Sequence, residues 1–65
     1  MVTPDFTLSG GGTIYLMRPH TEDAREWLAD HIGTEAQYLG QNLVVEHRYI
    51  DHIVEGARRD GLVVQ

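Results

Sequence analysis

The sequence predicts an α+β fold, a small and mainly antiparallel sheet with two amphipathic helices packed on one face. Two segments repeat apolar residues at helical spacing, and short β-branched and aromatic runs alternate with glycine and proline breaks. At 65 residues and 7.3 kDa there is room for one small core. Neither helix can bury its apolar stripe alone, so both need a sheet face or each other. A single domain over residues 1–65 is expected, with 1–5 as a loose N-terminal leader.

The elements follow in order. Phe6-Thr7-Leu8 reads as a short edge strand, broken by Ser9-Gly10-Gly11-Gly12, whose glycines can supply the positive φ of a turn. Thr13 to Met17 is the clearest strand and is expected to stop before Pro19. Thr21 is placed to cap the first helix, with Glu22 and Asp23 in the turn where the helix dipole favours negative charge. Ala24, Trp27, Leu28, His31 and Ile32 then share one face, and Gly33 suits the position past the helix end. Ala36 to Leu39 is ambiguous between loop and short strand, Gly40-Gln41-Asn42 reads as a turn, and Leu43-Val44-Val45 as a strand. The second helix begins near Glu46 or His47, buries Ile50, Ile53, Val54 and Ala57, and ends at Gly61. Leu62-Val63-Val64 either folds back as a last strand or packs as a tail.

Charge narrows the function classes. Ten Asp and Glu face five basic residues, all arginine, for a net charge of −5. Direct binding to nucleic acid or to an anionic membrane needs a basic stripe that this chain lacks, so neither is expected. Its apolar runs are too short to span a bilayer, and MVTPDFTLSGGG lacks the basic flank and apolar stretch of a signal peptide. A cytoplasmic location is therefore expected. An acidic surface suits a basic partner and speeds the encounter with it.

Catalytic and metal chemistry find little support. There is no cysteine, and the only serine, Ser9, lies in the glycine turn without an acid–histidine series. Without a lysine the triple glycine cannot be a Walker loop, and a strand rather than a helix follows it. Among His20, His31, His47 and His52, no two show the i, i+4 spacing of helical zinc ligands. His31 reads as a residue at the core edge. No enzyme activity, metal or cofactor is expected.

Position gives the acidic residues their meaning. At about 100° per residue, Glu22, Asp23, Glu26 and Asp30 fall within about 100° of the first helix, almost opposite the Trp27, Leu28 and Ala24 side. Glu22, Glu26 and Asp30 recur at i+4, each about 6 Å further along the axis. They form a candidate partner-binding stripe, which Glu35 would extend past the helix end. Glu46, Asp51 and Glu55 form a second rank, because Arg58 and Arg59 are spaced to pair locally with Glu55. The simplest alternative is an ordinary solvated face.

The strings SGGGTIYLMRP, AREWL, LVVEHRYI and EGARRDGL occur in that order, from about Phe6 to Leu62. Together they resemble small acidic proteins of phages and mobile elements, in particular anti-CRISPR proteins that act against type I-C systems. The resemblance implies an inhibitor in the cytoplasm of a bacterial host cell. It would bind the type I-C RNA-guided surveillance complex and block its engagement of target DNA. The basic DNA-binding surface of such a complex would be met by an acidic DNA mimic, with Tyr38 or Tyr49 adding apolar contacts. The resemblance assigns no residue roles, so the acidic positions rest on charge geometry alone. The alternative is an acidic protein–protein interaction module, antitoxin-like or a regulator of a host factor. A monomer is expected, with a homodimer as the other option.

Overall fold

The computed structural model describes residues 3–33 and 36–65. Its elements are β1 (Phe6–Gly11), β2 (Ile14–Pro19), α1 (Glu22–His31), β3 (Tyr38–Leu39), β4 (Asn42–Glu46) and α2 (His47–Arg59). The four strands form one sheet in the order β1-β2-β4-β3, with every neighbouring pair antiparallel. Strand alternation puts Phe6, Met17, Leu43 and Val45 on one face, where they pack with Ala24 and Leu28 of α1, Ile50 and Ala57 of α2, and Val64. Both helices cover this face, giving the α+β architecture that the sequence predicts.

The glycine cluster does not break β1. The strand runs on through Gly10 and Gly11, leaving Gly12-Thr13 as a two-residue hairpin loop. Gly12 takes φ +70° at the first loop position, where II′-type hairpin turns put glycine. Gly10, within the strand, has φ +86°, and a Cβ there would lie 3.0 Å from the Ile14 carbonyl oxygen. Three glycines in a row thus serve strand and turn together.

Pro19 also lies inside its strand rather than beyond it. Phe6, its partner across β1, gives its N–H and C=O to the C-terminal tail, so the Phe6–Pro19 pair exchanges no backbone hydrogen bonds. The proline nitrogen therefore faces the side of β2 where β4, paired only from Ile14 to Met17, has already ended. No ladder bond is missing there.

The ends of the helices follow the signals in the sequence. Thr21 caps α1, and Gly33 follows the Ile32 cap with φ +75°. The N-cap of α2 is Glu46, whose side chain makes no capping bond; the His47 N–H is held instead by the Thr13 carbonyl at 2.9 Å. At the other end Gly61 adopts φ +88°, the Leu62 N–H bonds Ala57 O, and the Gly61 N–H bonds Arg58 O. This is a Schellman motif. It turns the chain so that Val64 runs parallel to β1 beside Phe6, which resolves the tail as an added strand-like edge.

Asp5, grouped with the leader by sequence, is held from several sides. Its carboxylate accepts the Thr21 hydroxyl at 2.6 Å and the Val63 N–H at 2.8 Å, while its carbonyl accepts the His20 N–H at 2.8 Å. One residue thereby joins the start of β1, the cap of α1 and the tail. The Thr21 hydroxyl, and then the hydrogen bond from Val63, hold the Asp5 carboxyl below its ordinary value of 3.8. Because the folded state depresses this pKa, its contribution is full above 3.8 and is lost as pH falls through the lower folded value. Urea melts are expected to show the wild type losing stability below pH 3.8, and Asp5→Asn showing less of that loss. Equal acid sensitivity in the two proteins would count against the clasp.

Candidate partner-binding surface

The four carboxylates of α1 all reach solvent. Glu22, Asp23, Glu26 and Asp30 are exposed, while Ala24 and Leu28 on the opposite side are buried. Within ten residues, four acids face one arginine, Arg25. Like charges at i, i+4 oppose the helix by a few tenths of a kcal/mol each, so α1 depends on its cap and its packing. The Thr21 hydroxyl oxygen accepts the Ala24 N–H at 3.1 Å while its proton goes to Asp5. Capping of this kind is worth about 1 kcal/mol.

The flank toward α2 is built around Trp27. Gly56 lies directly against it: a Cβ there would stand 3.4 Å from the indole, in contact with it. The indole N–H donates to the Asp60 carboxylate at 2.6 Å, and the Phe6 ring meets Trp27 edge-on at 6.1 Å. His31 stacks on Trp27 at 4.2 Å between ring centroids. Its Nδ1 lies 2.8 Å from the Trp27 carbonyl, which can only accept, so Nδ1 is the donor. Its Nε2 lies 3.5 Å from Asp60, and the pair becomes ionic when that nitrogen is also protonated. His31 is therefore an exposed residue of the helix–helix seam, not a core-edge residue. Asp60 escaped the sequence reading because its partner Trp27 is 33 positions away.

On the other flank, Arg25, Leu28, Pro19, Tyr38 and Gln41 line a shallow cavity of about 390 Å³. Tyr38 is 50% exposed at its mouth, so an aromatic ring and an apolar floor lie beside the acidic stripe. This arrangement can receive an apolar side chain from a partner held by the carboxylates.

The second-rank residues do not join this surface. Val45 points into the core, so strand alternation sends Glu46 to the opposite face, where it accepts from Arg48 Nε at 3.1 Å. Asp51 and Glu55 are exposed, but about 100–140° around α2 from Gly56, which marks the side toward α1. Arg58 donates to the Val64 carbonyl at 3.2 Å. Among the described residues no ion pair joins Glu55 to Arg58 or Arg59, so the expected local pairing is not formed. Tyr49, also 50% exposed, carries the Arg48 guanidinium 5.0 Å above its ring. Glu35 lies outside the described residues.

The histidines are dispersed. His20 Nε2 is 2.7 Å from the Thr7 hydroxyl, His31 lies in the helix seam, and His47 and His52 are exposed on α2. Among the described residues no group of three or more His, Asp or Glu side chains is placed to hold a metal ion. Nor is any helix among them long and apolar enough to cross a membrane.

Against known proteins, no family model, curated sequence or solved structure matches this chain.

Proposed function

We propose that the chain is a stoichiometric anti-CRISPR inhibitor, whose α1 carboxylates occupy a basic DNA-binding surface of the type I-C surveillance complex. The observation that carries this reading is the exposed stripe of Glu22, Asp23, Glu26 and Asp30 on a helix fixed by its cap and by Trp27. The identity of the partner rests on the resemblance of the chain to anti-CRISPR proteins of that class.

The mimicry is coarse. Carboxylates at i+4 rise about 6 Å along α1, whereas one DNA strand carries a phosphate every ~3.4 Å of axis, so each replaces about two phosphates. Charge alone gives little selectivity at that density. The cavity beside Tyr38 supplies the apolar contact that a specific complex requires. Blocking needs no bond making or breaking, and the protein acts one copy per site.

The test is a mobility-shift assay with purified surveillance complex and labelled target duplex, with the protein added before or after the DNA. Loss of the shifted band is expected only when the protein is added first. An unchanged band in both orders would overturn DNA blocking and leave an acidic interaction module, whose basic partner a pull-down would seek.

A further inference from the structure

We propose that the helix-free face of the sheet is a homodimer interface, occupied by a second copy of the chain across a two-fold axis. The pairing register sets out three rows of side chains on this face. Thr7 and Arg18 lie at one end, Ser9, Leu16 and Val44 form the middle, and Gly11, Ile14 and Glu46 lie at the other end. Leu39, opposite Asn42, adds an apolar side chain at the Arg18 end. Ile14 is 45% exposed and Leu39 64%, with Leu16 and Val44 half-buried between them. Among the described residues, both helices pack on the opposite face, against Phe6, Met17, Leu43 and Val45.

Charge selects the occupant. Among the described residues, the strand register places Arg18 and Glu46 on this face at opposite ends, and Arg48 at the start of α2 reaches Glu46 there at 3.1 Å, so the face carries no excess of carboxylates. The exposed carboxylates of Glu22, Asp23, Glu26, Asp30, Asp51, Glu55 and Asp60 belong to the helical side. Two copies with a net charge of −5 each repel least through the bare sheet face. A two-fold axis along the Leu16–Val44 row turns one copy end over end. Arg18 of each copy then meets the Ile14–Glu46 end of the other, where the Glu46 carboxylate, already held on one oxygen by Arg48, has its second oxygen to accept it, and the same contact forms twice. Such self-complementarity is what a two-fold interface requires.

Strands of six, six, two and five residues, at about 3.3 Å per residue and about 4.8 Å apart, give a footprint of about 300 Å². That is well below the ~800 Å² per partner of a standard interface, so the association is expected to be weak. The dimer leaves α1 of both copies pointing outward. The inference concerns the opposite layer from α1 and stands or falls apart from the anti-CRISPR reading.

Sedimentation equilibrium across the micromolar range tests it. The wild-type mass is expected to rise with concentration from 7.3 kDa to twice that value. Leu16→Glu, whose side chain lies on the bare face, is expected to remain monomeric with an unchanged circular dichroism spectrum. Arg18→Glu and Glu46→Arg alone are each expected to weaken the dimer by about 10-fold, and the two together to restore it. A monomer at every concentration, a dimer indifferent to Leu16→Glu, or a double variant no tighter than the singles would each overturn the proposal. Species larger than a dimer would overturn its two-fold form.

Discussion

Reversing Glu22, Glu26 and Asp30 to lysine is expected to weaken the proposed binding to the surveillance complex by about 1,000-fold while leaving the fold intact. Each reversed contact costs about 1.4 kcal/mol, a factor of 10, since attraction is replaced by repulsion at a basic surface. The fold survives because all three side chains point into solvent and the core residues of α1 are untouched. Lysine at position 22 opposes the helix dipole by about 0.3–1 kcal/mol, but the i, i+4 spacing brings like charges together as before. Isothermal titration and a thermal melt on the same samples separate the two effects.

A change in overall charge must be separated from a change of surface. Glu22→Lys/Glu26→Lys and Asp51→Lys/Glu55→Lys each move the net charge from −5 to −1, two reversals adding four units. The first pair is expected to weaken binding by about 100-fold, and the second by no more than about 2-fold, because its carboxylates lie on the far flank of α2. Equal losses would show that only bulk charge matters. Equal retention would remove α1 as the contact surface. Raising salt is expected to weaken the wild-type complex more steeply than that of the α1 pair, since fewer attractive charges then remain to be screened.

The parts of this surface legible in the sequence are those set by local geometry. Helical periodicity and the Thr21 cap locate α1, and a fixed rotation per residue places its carboxylates on one side. Glu46 could have been set apart by the same means: strand alternation at Leu43 and Val45 already sends it to the other face. The glycine cluster continues β1 instead of breaking it because Gly10 takes its positive φ inside the strand, where the Ile14 carbonyl would crowd a Cβ. Asp5 and Asp60 were not legible, since their partners lie 16, 58 and 33 positions away and are brought together by packing. The cavity beside Tyr38 also joins residues of α1 to residues of the outer hairpin, and no local pattern announces it.

Phe6→Ala is expected to abolish cooperative unfolding, and with it every binding property of the chain. The Phe6 side chain is fully buried where the sheet, the tail and the helix seam meet. It faces Trp27 edge-on at 6.1 Å and runs beside Val64 through the parallel bridge. Truncating a buried phenylalanine to alanine costs about 3–5 kcal/mol, part of it from the cavity left behind. Domains are stable by about 0.05–0.15 kcal/mol per residue, which for this chain is about 3–10 kcal/mol in all. The loss is comparable to the total. Phe6→Leu keeps most of the volume, is expected to cost about 1–1.5 kcal/mol, and should still melt cooperatively and bind. Urea unfolding followed by Trp27 fluorescence reports the change directly, because the indole packs against the deleted ring. A Phe6→Ala protein that melts within a few degrees of wild type would mean that the tail and the helix seam hold without the ring. The α1 stripe would then owe its position to the Asp5–Thr21 cap and the Trp27–Asp60 bond instead.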